Sequence, residues 1–488
     1  MRRLLPVLLL SLAGLAAPSC REQPEGVPRV VVIGGKPEIR DPAEGPLAPG
    51  DAVLLENVAQ GLVRFDGSGN IVGGLAERWN VSDDGLSYIF RIASMNWPDG
   101  RKISAQQVAK LLKRSIAPRS GNPLKDSLGA IDDIVAMTDR VIEIRLVAPR
   151  PNLLALLAQP EMAILRGRLG TGPFSAATDQ KNPASLRLTR NVLSPDEESA
   201  TKEEVLLSGA SVEEAVRAFA NGNTDLVLGG TFADLPFAQR TKLPRGSLQF
   251  DPASGLFGLL PLHAANGLDD PDVRRLLSQA IDRDTFVTAL GVPNLAARAT
   301  LLEPGLDGMA APVAPAWTAT PLAERIAALR AQADAKFGTE SKPTYRVLLP
   351  KGPGGELVLR LLVRSWGAVG FTVERADSKE DADFALVDQV APSASAGWFV
   401  RRFRCGAAAI CDPEIDPLID AARQTPVPQQ RAALLQQAAS RIDDAQLFLP
   451  ITAPVRWSLV SGRIQGFAGN RFAIHTLTDL GQKPGTGS

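Results

Sequence analysis

Ser211-Val212-Glu213-Glu214-Ala215-Val216-Arg217-Ala218-Phe219-Ala220-Asn221-Gly222-Asn223-Thr224-Asp225-Leu226-Val227-Leu228 holds a helix start, a helix stop and a strand in one continuous run. Ser211 and Glu214 have capping-box spacing, in which hydroxyl and carboxylate each satisfy a backbone N–H that the first helical turn leaves free. Ala215, Val216 and Phe219 then share one helical face. Asn221-Gly222 ends the helix, and Asp225-Leu226-Val227-Leu228 enters a strand. A helix delivered directly to an apolar strand is the grammar of an α/β fold.

The same grammar recurs outward from this run. Asp270-Pro271-Asp272 predicts a helix with Asp as N-cap and Pro at its first position, followed by Val273, Leu276, Leu277, Ala280 and Ile281 on one face. Asp412-Pro413 predicts a second such start before Ile415, Leu418, Ile419 and Ala422. Capping and favourable dipole placement account for both carboxylate clusters without a bound cation. Residues 344–350, 371–374 and 384–387 read as strands, and Gly352-Pro353-Gly354-Gly355 leads into a helix through Trp366, giving a second α/β run over 255–455. Upstream, the strand 30–33 ends at Gly34-Gly35; Lys36 is followed by Pro37, so the GxxxxGK[ST] phosphate loop is missing and a turn is expected. Residues 51–63 read as a helix stopped at Gly61, residues 86–92 as a strand after the Asp83-Asp84-Gly85 turn, and Ser104 with Gln107 as a capping box ahead of Val108, Leu111, Leu112 and Ile116.

The chain has 488 residues, 53 Lys and Arg against 53 Asp and Glu, and 45% apolar residues. At about 150 residues per domain, that length implies two or three domains. Balanced charge provides no broad basic field, so nucleic acid is not an expected partner. His263 and His475 are the two histidines and lie far apart in sequence, which excludes a multi-histidine metal centre or an HExxH helix; no metal and no cofactor are expected. No GxSxG elbow is present, so hydrolytic catalysis lacks its parts and the chain is read as a non-enzyme. With 17 Phe, 6 Trp and 2 Tyr, the composition counts against a wide stacking platform for sugars or bases, while a few well-placed rings could still serve.

Arg2 and Arg3 precede an apolar run from Leu4 to Ala17, shorter than the about 20 residues that span a bilayer comfortably, and the start reads as a secretory signal. The run Ala17-Pro18-Ser19-Cys20 resembles a bacterial lipoprotein signal, which implies lipidation of Cys20 and a membrane tether at the new N-terminus. Ala17 stands where such signals usually carry Leu, so ordinary cleavage near Ala17 or Ser19 is the alternative. An exported, oxidised location allows Cys405 and Cys411 to pair, and closing so short a loop contributes about 2 kcal/mol. Two free thiols are the other reading.

Several blocks carry a family likeness. Glu56 to Asp66 (ENVAQGLVRFD), Gly74 to Gly85 (GLAERWNVSDDG), Phe90-Arg91-Ile92, Trp97-Pro98-Asp99-Gly100 and Ser104-Ala105-Gln106-Gln107-Val108 resemble the N-terminal part of family 5 extracytoplasmic solute-binding proteins, the peptide- and nickel-type receptors of ABC importers. Gly170-Thr171-Gly172-Pro173-Phe174 is similar to that family's GTGPY crossover. Asp270 to Arg275 with Ala280-Ile281-Asp282-Arg283 is similar to its VR…AIDR segment, and Asp412 to Ile419 to its NPEIDALI helix. The resemblance implies an α/β, two-lobed periplasmic-binding-protein type II-like fold with an extra inserted domain in the N-terminal lobe. Domain I would comprise 28–50, 170–254 and 455–488, inserted domain II 51–169, and domain III, the opposing lobe, 255–454. It also implies a monomeric periplasmic or cell-envelope receptor that closes around a small-molecule solute, peptide-like or other, and delivers it to importer membrane subunits.

In peptide-binding relatives a segment reading W-x-x-D-Y-x-D-P anchors the ligand's amino group. Here the corresponding run is Asp388-Gln389-Val390-Ala391-Pro392-Ser393-Ala394-Ser395-Ala396-Gly397-Trp398. The Asp-Pro is missing and Asp388 comes early; an amine without a carboxylate loses a bond of about 1.5 to 3 kcal/mol. That counts against ordinary peptides, and no histidine in this window favours nickel. Asp388, Gln389, Ser393, Ser395 and Trp398 are the ligand candidates on this lobe, with plain loop residues as the alternative. Glu38, Arg40, Asp41 and Glu44 occupy the segment that faces ligand in relatives, with solvated loop charges as theirs. Arg401, Arg402 and Arg404 could pair with a ligand carboxylate or phosphate, or form a solvated basic rim. The altered 388–398 segment also leaves open a transport-inactive lipoprotein of this fold, acting as a scaffold or chaperone-like binding protein.

Overall fold

A computed structural model describes residues 26–193, 200–478 and 480; the leader and Cys20 lie outside them. A seven-stranded sheet gathers distant parts of the chain in the order Leu248–Phe250, Arg456–Val460, Leu226–Thr231, Arg29–Ile33, Ala200–Ala210, Leu186–Leu193, Ser175–Thr178. The strand Arg29–Ile33 lies parallel to both neighbours, Val31 facing Ser208 on one side and Val227 on the other. The helix Val212–Ala220 packs beside it through Ala215, Val216 and Phe219, and its capping box is complete.

A five-stranded sheet follows the order Thr372–Arg375, Thr344–Leu348, Phe384–Val390, Gly255–Pro261, Leu449–Thr452. A third, antiparallel sheet of Ala76–Val81, Ser87–Ile92, Val141–Leu146 and Ile131–Thr138 has its own core around Tyr88, Phe90, Trp97, Ile142 and Ile144.

The chain passes between the seven- and five-stranded sheets at residues 251–254 and again at 453–455. Here the two cores are continuous: Phe232 meets Phe257 edge to face at 4.8 Å, and Trp457 donates its indole N–H to the Thr231 carbonyl at 2.8 Å. Gly230 is required at this point, because a Cβ there would lie 2.2 Å from the Trp457 ring. Asp388, on the five-stranded sheet, takes both oxygens to Arg456 Nη1 on the seven-stranded sheet, at 2.8 and 2.9 Å. Burial pushes the Asp388 carboxyl upward in pKa and the Arg456 charge opposes that shift.

Several local expectations change. The helix expected over 51–63 runs Pro49–Val58; Gly61 serves close packing, since a Cβ there would sit 2.5 Å from the Leu157 carbonyl oxygen. Asp412 does not cap the next helix, which begins at Ile415; it accepts from Glu414 N at 3.0 Å and binds Arg441 Nε at 2.8 Å. Ser104 caps Gln107 N, but the Gln107 side chain accepts from Trp97 Nε1 at 3.2 Å, so that box is one-sided. The strand expected to stop at Val387 continues to Val390, because Asp388, Gln389 and Val390 pair with Phe257, Leu256 and Gly255.

The two motif arginines are internal pegs. Arg274 donates to the Ala445 and Leu268 carbonyls. Arg283 donates to the carbonyls of Ser278 at 2.6 Å, Pro450 at 2.8 Å and Arg298 at 2.9 Å, and burial, with Arg325 nearby, pulls its pKa down to about 9. A guanidinium has five N–H donors in a fixed fork, so one side chain ties several chain segments together.

Removing Asp388 strands Arg456 at the junction of the sheets. Asp388→Ala is expected to cost about 3 kcal/mol in equilibrium urea unfolding, and Asp388→Leu with Arg456→Leu to recover most of that loss. A single-variant loss near zero would mean that the pair does not brace the junction. Burial pushes Asp443 up to about 7, partly opposed by the Leu301 N–H at 2.9 Å. The folded state therefore holds this proton where the unfolded carboxylate has released it, and the group's stabilisation declines as pH rises from about 4 to 7. Asp443→Asn should raise the melting temperature more at about pH 8 than at about pH 5; an equal effect at both would refute the shift.

Candidate functional site

Beyond Val390 the chain leaves the sheet through Pro392–Ser395 and makes two short turns, Ala396–Val400 and Arg401–Phe403. Phe399, Val400 and Phe403 are buried against Ile415, Ile419, Leu435 and Phe448, which fixes the segment to the core. The disulfide between Cys405 and Cys411 closes the loop that follows. With its apolar side buried, the segment presents Trp398, Arg401 and Arg402 to a cavity of about 600 Å³.

The cavity has two walls. Ser127, Arg150, Asn152 and Leu153 come from the side of the four-stranded sheet; Ser393, Ser395, Trp398, Arg401 and Arg402 come from the side of the five-stranded sheet, with Arg423 and Arg431 on its helices. Hydrogen bonds cross between the walls: Arg401 Nη1 to Ser127 Oγ at 2.5 Å, Asn152 Nδ2 to Asp307 Oδ1 at 2.9 Å, Gln159 Nε2 to the Pro392 carbonyl at 2.7 Å, and Arg150 Nη2 to the Arg423 carbonyl at 2.9 Å.

Asp307 organises one end. It has φ +47°, in the left-handed region that Asp tolerates better than most residues, and its buried carboxylate accepts from Ala396 N at 2.8 Å and Arg431 Nη2 at 3.3 Å as well as from Asn152. Sequence reasoning missed Asp307, although Gly305-Leu306-Asp307-Gly308 carries a turn signature. It also missed Arg150, Asn152 and Ser127, which lie far from the 388–398 segment in sequence and show no local motif.

The arginines differ in their partners. Arg404 makes a two-pronged pair with Asp420 at 2.7 and 2.9 Å, which raises its pKa, and Arg431 pairs with Asp307. Among the described residues, no carboxylate is within ion-pair distance of Arg150, Arg401 or Arg402. Burial, followed by the charges of Arg431 and Arg423, pulls Arg150 down to about 10. Burial also lowers Arg401 and Arg402, with Asp126 partly offsetting the shift at Arg401.

The residues singled out in the sequence fall into three places. Ser393, Ser395 and Trp398 line the cavity. Asp388 and Gln389 line a separate recess of about 490 Å³ at the sheet junction, where Asp388 is engaged by Arg456 and Gln389 by Arg402. Glu38, Arg40, Asp41 and Glu44 are not among the cavity's lining residues: Arg40 binds Glu38 and Asp51, Asp41 binds Arg114 and caps Ala43 N, and Glu44 is exposed. His263 and His475 are each held by an aspartate, Asp383 and Asp251, at 3.2 Å. Among the described residues, no group of three or more His, Cys, Asp or Glu is placed to hold a metal ion, and no helix is long and apolar enough to cross a membrane.

Residues 70–400 match the family model for bacterial extracellular solute-binding proteins, family 5 middle. The probable di/tripeptide-binding protein 5 of Pseudomonas aeruginosa is 23% identical over 86% of this chain and 89% of its own. Among solved structures, Haemophilus influenzae OppA in complex with RPPGFSPFR aligns with a TM-score of 0.77 at 16% identity, covering 94% of this chain and 99% of that one. AgaA of A. tumefaciens R10, in complex with agropinic acid, aligns at 0.71 and 17% identity, covering 92% and 96%. The fold is thus the two-lobed, type II-like arrangement of OppA-type periplasmic binding proteins, and the chain belongs to the family 5 bacterial extracellular solute-binding proteins.

Proposed function

We propose that this chain is a non-enzymatic extracytoplasmic receptor of an ABC importer that captures a small solute between its lobes by hinge closure and delivers it to the membrane subunits. The observation that carries this reading is the cavity of about 600 Å³ whose walls come from opposite sides and are joined by Arg401–Ser127 and Asn152–Asp307. A solute seated there touches both walls only in the closed arrangement, so its binding favours closure. The volume suits a small molecule. The two crossings at 251–254 and 453–455, braced by Asp388 and Arg456, are our candidate hinge.

On this reading domain I comprises 28–50, 170–254 and 455–488, domain II 51–169, and domain III 255–454. Ser393, Ser395 and Trp398 contact the solute, Asp388 and Gln389 belong to the hinge, and Glu38, Arg40, Asp41 and Glu44 support the surface beside domain II. The receptor acts as a monomer in the periplasm or cell envelope, tethered by lipid on Cys20.

The solute can be identified by native mass spectrometry of what co-purifies with the mature chain. Its addition should reduce the radius of gyration in small-angle scattering, and Ser127→Trp, which fills the cavity wall, should abolish binding and compaction together. Solute binding that leaves the scattering unchanged and ignores Ser127→Trp would overturn the closure reading. Cys20→Ser should move the protein from the membrane to the soluble envelope fraction; an unchanged distribution would refute the tether.

A further inference from the structure

The cavity's charge names a ligand class. Six arginines line it, namely Arg150, Arg401, Arg402, Arg404, Arg423 and Arg431, against two aspartates, Asp126 and Asp420. Asp420 is already committed to Arg404, and Asp307, just behind the wall, to Arg431. Asp126 is exposed at the rim. Arg150, Arg401 and Arg402 are thus partly desolvated cations whose protein partners are neutral: the Pro149 and Arg423 carbonyls, the Ser127 hydroxyl and the Gln389 amide oxygen.

In a chain whose total charge is zero, this concentration of one sign at a single recess is a local feature. Neutral oxygens orient a guanidinium without cancelling its charge, and low-dielectric walls strengthen its field toward the cavity. We propose that this cavity, on the receptor reading above, takes a small solute bearing clustered anionic oxygens, carboxylate or phosphate, with Arg150 and Arg401 gripping it from opposite walls. Among the described residues lining the cavity, exposed Asp126 is the acidic group left for a ligand's ammonium, against the three arginines without a carboxylate partner. Burial first, and then the charges of neighbouring arginines, lower the basicity of Arg150 and Arg401, with Asp307 and Asp126 partly offsetting the shift. Trp398, Leu153 and Leu156 supply an apolar surface for the solute's carbon frame.

The test uses the full mature chain and four panels: di- and tricarboxylates, phosphorylated sugars, neutral sugars, and short peptides with free amino termini. Each hit from thermal-shift screening is measured by calorimetry on the native chain, on Arg150→Gln and on Arg401→Gln, with circular dichroism and melting temperature as folding controls. The expected result is a carboxylate or phosphate hit, the two panels separating the sources, that weakens at least about 10-fold in each variant and weakens with added salt. Arg401→Lys should recover part of the loss by restoring charge without the fork. A hit confined to peptides or neutral sugars and indifferent to both variants would overturn the anion assignment while leaving the receptor reading intact. No binder in any panel, and no compaction, would overturn both.

Discussion

Two short passages of chain, 251–254 and 453–455, join the seven-stranded sheet to the five-stranded one, and what lies between the lobes depends on how those passages are held. Asp388 and Arg456 clasp across the junction, Trp457 fills the space that Gly230 leaves, and Phe232 meets Phe257. Apolar packing fixes the separation of the sheets, and the charged pair resists their sliding because neither ion can be left alone in a largely buried site. On the receptor reading proposed above, this junction is the candidate hinge between the cavity's two walls.

Arginine does three different jobs in this molecule, and its surroundings assign them. Arg274 and Arg283 are internal fasteners, their N–H groups spent on backbone carbonyls from separate segments. Arg404 and Arg431 are neutralised by Asp420 and Asp307 and hold helices and turns in place. Arg150, Arg401 and Arg402 share the cavity with hydroxyl, amide and carbonyl oxygens, which orient them but leave their charge uncompensated. The chain's equal numbers of acidic and basic residues conceal this, because electrostatics near a recess follows local placement and not the sum.

The elements were largely legible in the sequence. Capping residues, helical stripes and β-branched runs act within a few residues, so the helix Val212–Ala220 and the helix Pro271–Ala280 announce themselves, and the family likeness follows from motif blocks in order. Misreadings occurred where a distant partner intervened. Gln107 left its cap for the indole of Trp97, Asp412 turned to Arg441, and the strand after Phe384 ran on because Gly255, Leu256 and Phe257 lay alongside to pair with it.

By itself the sequence determined the α/β class, the family, and three of the residues that line the cavity, Ser393, Ser395 and Trp398, since these depend on local pattern and motif. Only the tertiary structure decided that Asp388 turns toward Arg456, that Glu38 to Glu44 stand apart from the cavity, that Arg150 and Ser127 face Arg401 across it, and that Asn152 reaches Asp307 behind the wall. Those pairings link residues more than 60 positions apart. No short-range propensity encodes such a meeting; it arises when the packed sheets bring their connecting segments to the same place.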